Sequence, residues 1–137
     1  MLGLARAAIR VLPFRSYVGL LGRKAALSDA LPSGTLDPRT AARIATIRQA
    51  VASAAAIAPW TANCLPQALV ACTLLRASGV PHRTFLGTAK GQKGGDPLLA
   101  HAWVRAGETI VTGKRGAARH TVVANFAWPP APAAPER

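Results

Sequence analysis

The chain reads as an α+β domain in which N-terminal helices and a cysteine-bearing helix pack on an antiparallel sheet. Three observations carry that reading. Helical periodicity runs as far as Gly79 and strand-like alternation begins only at His82, so helices and strands are segregated rather than alternating. Asp37-Pro38 and Asn63-Cys64 each set a capping residue directly before an apolar helical run. Ala106-Gly107 lies between two apolar runs and marks a tight hairpin turn, the connection of antiparallel strands.

In chain order, residues 3–12 are expected to be helical, with Pro13 interrupting them. Phe14 to Leu21 continues as a short helical or irregular piece, and Leu31-Pro32-Ser33-Gly34 is a turn. The Asp37 cap and Pro38 open a helix over 38–57 that Pro59 ends. Ala41, Ile44, Ile47, Val51 and Ala54 share one face of it, and Arg39, Arg43 and Arg48 take exposed positions. Trp60 to Asn63 is a short linker. The next helix starts at Cys64 with Asn63 as cap, and Pro66 falls in the first turn, where a missing N–H does no harm. Leu65, Leu69, Cys72 and Arg76 form one stripe, and the surrounding Ala68, Val70, Ala71, Leu74 and Leu75 make this a buried helix. Gly79 stops it and Pro81 follows. Strands are expected over His82–Thr88, Leu98–Arg105, Glu108–Thr112 and Thr121–Phe126. A polar loop (Lys90–Asp96), the hairpin turn and a basic loop (Lys114–Arg119) separate them. Residues 1–128 then make a single domain whose first 35 residues are a helical extension, and the Pro/Ala-rich tail 129–137 is expected to be disordered.

The 137 residues, 50% of them hydrophobic, suit one domain with a true core. Net charge is +12, from seventeen Lys and Arg against five acids. That excess is either compositional, in a chain rich in Arg and Ala, or serves an acidic peptide, an acidic protein, nucleic acid or an anionic membrane. The basic residues are scattered, with short clusters at Arg23-Lys24, Lys90 to Lys93 and Lys114-Arg115 and no nucleic-acid motif beside them, so nucleic acid is not an expected partner. No apolar run reaches the length of a membrane span, and Met1 to Arg15 lacks the apolar core and cleavage site of a targeting peptide. Those residues read as a structural helix, and membrane contact is not expected. Cys64 and Cys72 lie eight apart in one helix, about 12 Å along its axis and too far for a disulfide. A reducing cytoplasm is the simplest inference. Three histidines without close spacing give no metal signal, and no cofactor is implied.

Cys64 and His101 carry the chemistry. A thiol at a helix start faces the positive end of the helix dipole, which favours thiolate. A histidine brought opposite it can take and return a proton. The bland alternatives are a small buried hydrophobe for Cys64 and a satisfied sheet histidine for His101. Cys72, mid-helix on the buried stripe, is assigned to packing. His82 and His120 start strands and are expected to face solvent. Gln67 is placed to donate to an oxyanion beside the helix-start N–H groups, with a solvent-facing role as its alternative; Asn63 and Trp60 flank the same position, Trp60 as a packing anchor. A triad also needs a group that orients the imidazole. With Ala106-Gly107 as the two turn residues, Arg105 pairs with Glu108 and His101 faces Thr112 across the ladder. Thr112 is therefore the expected third member, and Glu108 is its competitor.

At this point the residues resemble a known family. The run PWTANCLPQALVACTLLRASGVPHRTFLG, followed by AHAWV and a hairpin, resembles the lasso-peptide leader peptidase, a transglutaminase-like and papain-like cysteine protease that is the peptidase part of the maturation B protein. VLPFRSYVGLLG and AARIATIRQAVASAA look like its stand-alone form. The resemblance spans Leu12 to Phe126. It implies that Cys64 is the nucleophile and His101 the general base, and that the substrate is the leader of a ribosomally made precursor. It implies as partners a separate leader-recognition domain protein and an ATP-dependent lasso cyclase that closes the ring afterwards. The family's usual Asp lies about a dozen residues beyond the His; this chain has Thr112-Gly113 there. The competing readings are another transglutaminase-like amide hydrolase or acyl-transfer enzyme, and a non-catalytic basic binding module.

Overall fold

Helices pack on one face of a five-stranded antiparallel sheet. The computed structural model describes residues 2–25, 36–58, 63–90 and 99–129. Trp60, the turn at 31–34, most of the polar loop at 90–96 and the tail from 130 onward lie outside the described residues.

The chain begins with α1 (Leu2–Val11), α2 (Phe14–Tyr17) and a 3-10 turn (Val18–Leu20). Leu2, Ala5 and Ile9 turn one face of α1 to the core. Arg23–Ala25 then forms β1, which the sequence reading had inside a helical extension. It pairs with the end of β5, Lys24 opposite Phe126, so the N-terminal segment is part of the sheet.

Helix α3 (Pro38–Ile57) starts as the Asp37-Pro38 pair predicts: the Asp37 carboxylate accepts from the Thr40 backbone N–H at 3.0 Å and from the Thr40 hydroxyl at 2.7 Å. Those bonds hold its carboxyl below the usual range. Ile44, Ile47 and Val51 are buried, while Ala41 is exposed, so the buried stripe is shorter than the apolar one. Helix α4 (Cys64–Ala77) buries Ala68 to Cys72 and Leu75. It ends in a Schellman motif, with Gly79 N–H on the Arg76 carbonyl and Val80 N–H on that of Leu75.

Strands β2 (His82–Ala89), β3 (Leu99–Ala106), β4 (Thr109–Thr112) and β5 (Thr121–Trp128) complete the sheet in the order β1-β5-β2-β3-β4. The hairpin departs from expectation by one residue. Ala106 pairs with Thr109, which makes Gly107 and Glu108 the turn residues, and Gly107 takes φ +57°. A hairpin turn of this length demands positive φ at its first position, which glycine adopts at no cost and Ala106 does not. An irregularity between Val104 and Arg105 shifts the ladder again, so Thr112 pairs with Val104 and not with His101.

Alternation along β3 sorts its two faces. Ala102, Val104 and Ala106 join the core, and His101, Trp103 and Arg105 point the other way. Cys72 is fully buried in that core, 3.0 Å from the Thr84 hydroxyl, which donates in turn to the Leu21 carbonyl at 3.3 Å. Burial pushes its thiol up to about 11, consistent with packing rather than chemistry.

Candidate active site

Cys64 is the first residue of α4 and is half-buried. Asn63 occupies the cap position, but its side chain makes no capping bond. A capping side chain bonds the N–H of the second or third helical residue, and the third here is Pro66, which has none. The cap's absence leaves the Cys64 and Leu65 N–H groups at the start of the helix unclaimed within it. The next N–H, of Gln67, bonds the Asn63 carbonyl at 3.4 Å. Two aligned donors and the positive end of the dipole therefore lie beside the thiol, where negative charge would develop.

These residues line a cleft of about 850 Å³. Asn63, Cys64, Leu65, Pro66 and Gln67 form its helical wall, and Ala100, His101 and Gly113 face it from the sheet. Ala100 and His101 alternate in side-chain direction, so the cleft wraps round the start of β3. Cys64 and His101 thus share one cavity, as expected, and no hydrogen bond joins them among the described residues. Thiol–imidazole contacts in a substrate-free site are commonly loose.

His101 is oriented by the backbone. Its Nε2 lies 2.7 Å from the Gly113 carbonyl oxygen. Thr112, the expected third member, faces the core beside Val104, is buried, and leaves its hydroxyl without a partner among the described residues. It stands on the other side of the sheet from His101 and cannot orient it. Glu108 is an exposed turn residue. No carboxylate lines the cleft among the described residues.

Two further histidines also differ from expectation. His82 is buried, not solvent-facing: its Nδ1–H donates to the Val80 carbonyl at 2.9 Å and its ring stacks on Trp128 at 5.7 Å. His120 is half-buried, its ring centroid 5.0 Å from that of His101. Its Nδ1–H donates to the Gly116 carbonyl at 2.6 Å. Trp103 also stacks on His101, with ring centroids 5.7 Å apart. His101 therefore contacts two neighbouring rings. Gly87 makes room for both: a Cβ there would lie 2.9 Å from the Trp103 ring and 3.0 Å from the His120 Cβ.

Arg6, Ile9 and Arg10 of α1 also line the cleft, as do Lys114 and Arg115. The Lys114-Arg115 cluster is visible in the sequence; the place of α1 at the site is a finding of the structure. The spacing of Arg6 and Arg10, one helical turn apart, was the available signal. Among the described residues no group of three His, Cys, Asp or Glu is placed to hold a metal, and no helix is long and apolar enough to cross a membrane.

The family model described as the transglutaminase-like superfamily matches residues 8–125. No curated protein and no solved structure matches the chain.

Proposed function

The chain belongs to the transglutaminase-like superfamily, and from that premise we propose that it is a cysteine peptidase that removes the leader from a ribosomally made lasso-peptide precursor. The observation that carries the reading is the shared cleft: Cys64 at a helix start and His101, its ring fixed by the Gly113 carbonyl, both line it. The resemblance of the Cys64 run and the His-Ala-Trp-Val run to the leader peptidase supplies the substrate.

In this reading the Cys64 thiolate attacks the scissile carbonyl and forms a C–S bond, while the Cys64 and Leu65 N–H groups and the Gln67 side chain stabilise the oxyanion. His101 takes the thiol proton on Nδ1 and gives it to the leaving amine as the C–N bond breaks. Water then attacks the thioester; His101 accepts its proton and returns it to the departing thiolate, releasing the leader as a carboxylic acid. The freed amine is the group a separate ATP-dependent cyclase would acylate, and a recognition-domain protein would deliver the leader. A reducing cytoplasm suits the free thiol.

A transglutaminase-like acyl transferase would use the same first half and replace water with an amine, so product mass separates the two. The test is mass spectrometry of a precursor incubated with the recognition protein and either wild-type chain or Cys64→Ala. Leader and core masses summing to precursor plus one water, absent with Cys64→Ala, is the expected result. Equal cleavage by both proteins ends the proposal.

A further inference from the structure

Among the described residues, the charged groups lining the cleft beside Cys64 are all basic. Arg6, Arg10, Lys114 and Arg115 line it, and no acid does among the described residues. The excess of basic residues in the whole chain offers a compositional explanation, which the control variant below tests. The four groups come from opposite ends of the sequence. Arg6 and Arg10 stand one turn apart on α1 and both line the cleft. Lys114 and Arg115 directly follow Gly113, whose carbonyl holds His101. A concave surface lined by one sign focuses its field and concentrates ligands of the other.

We infer that the cleft selects peptide segments bearing carboxylates on the two sides of the reacting amide, with Lys114 and Arg115 meeting one flank and Arg10 the other. The word "reacting" rests on the peptidase reading; the selection of carboxylates does not. His101 protonates the leaving amine, so the basic pair next to its Gly113 anchor takes the C-terminal flank. Helix α1 packs against α4 and takes the N-terminal flank. Arginine suits carboxylates because its guanidinium bonds them in a two-pronged fork.

The test uses Cys64→Ala protein and fluorescein-labelled Gly/Ala peptides carrying Glu, Gln or Lys on both sides of a central Ala-Gly amide, with binding read by anisotropy. The Glu peptide should bind roughly five- to tenfold tighter than the Gln peptide at low salt, the Lys peptide weakest, and the gap should narrow as salt rises. Arg10→Glu and Lys114→Glu, both at exposed positions, should each remove most of that gap. Arg48→Glu, exposed on α3 and away from the cleft, changes net charge equally and should leave it intact. An equal loss with Arg48→Glu, no gap at all, or a single-stranded oligonucleotide that displaces the Glu peptide at comparable concentration would each overturn the inference. Carboxylate-selective binding by a chain that cleaves no precursor would sustain it and remove the peptidase reading. Cleavage with no charge preference would do the reverse.

Discussion

His101 Nε2 lies 2.7 Å from the carbonyl oxygen of Gly113, in the Thr112-Gly113 stretch where the family resemblance places a carboxylate. A carbonyl only accepts, so Nε2 carries the proton and Nδ1 keeps its lone pair. One backbone bond thus sets the tautomer and the ring orientation, two of the three services of a triad carboxylate. The third, stabilising imidazolium with a full negative charge, a carbonyl dipole performs weakly. The expected enzyme works, but slowly.

A backbone carbonyl cannot be deleted by mutation, but Gly113 can be displaced. It holds φ +77°, and a Cβ there would run into the Ala102 carbonyl and the Trp103 side chain. Gly113→Ala must therefore shift the carbonyl away from His101. Single-turnover cleavage should fall by roughly tenfold or more, approaching the defect of His101→Ala. Wild-type turnover from a folded Gly113→Ala protein would show that this bond does not orient the base.

Thr112 should prove dispensable to activity. Its hydroxyl is buried without a partner among the described residues, against the core and not toward His101. Thr112→Val removes an unpaired polar group at nearly constant volume and should leave cleavage unchanged while stabilising the fold by about 1 kcal/mol. Thr112→Asp would bury a carboxylate and should lower Tm. Urea denaturation and single-turnover rates on the same preparations check both outcomes.

The two cysteines should separate cleanly under alkylation. Cys64 is half-buried at the mouth of the cleft, and Cys72 is fully buried with its thiol held up to about 11. Brief iodoacetamide treatment near neutral pH, followed by peptide mass spectrometry, should label Cys64 alone and abolish cleavage in parallel. Labelling of Cys72 at a similar rate would mean that the core opens on that timescale.

The local signals were legible because each is settled within a few residues. Asp37-Pro38 starts a helix, Gly79 ends one, and Cys64 stands at a helix start without reference to the rest of the chain. What failed depends on pairing. A turn at Gly107-Glu108 rather than Ala106-Gly107 moves each pairing by two residues and would leave Thr112 on the His101 face. The irregularity between Val104 and Arg105 adds the odd step that turns Thr112 to the core, because strand side chains alternate with period two. Strand β1 has three residues, two of them charged, and gains its identity only from β5. His120 reaches His101 through two strand pairings with a bulge between Leu86 and Gly87, which no local pattern encodes.

Acid should weaken the fold through His82. Burial holds its pKa below the ordinary value of 6.5, with the bond to the Val80 carbonyl opposing in part. The unfolded chain then binds the proton more readily than the folded one, so stability is full above about pH 6.5 and falls as pH drops below it. Asp37 acts in a lower window, since its carboxyl loses its bonds only below its ordinary 3.8. His82→Phe keeps the stacking on Trp128 and removes the titration. The Tm difference between pH 7.5 and pH 5.5 should be smaller in this variant than in wild type; an equal difference would assign the acid sensitivity to another group.

His120 should matter as a wall rather than as an acid or base. Its ring lies 5.0 Å from His101 and is anchored by its own bond to the Gly116 carbonyl, and Trp103 stacks on His101 as well. Such ring contacts contribute about 0.5–1.5 kcal/mol each, enough to hold an imidazole within its reactive tilt. His120→Ala frees one side and should lower kcat roughly tenfold with little change in KM. His120→Phe refills the space without a titrating group and should recover most of that loss. Gly87→Ala attacks the same arrangement from behind, because its Cβ would press on the Trp103 ring and the His120 Cβ together. It should therefore lower kcat too. If His120→Phe is as slow as His120→Ala, the imidazole of His120 takes part in the proton transfers and is not merely packing against His101.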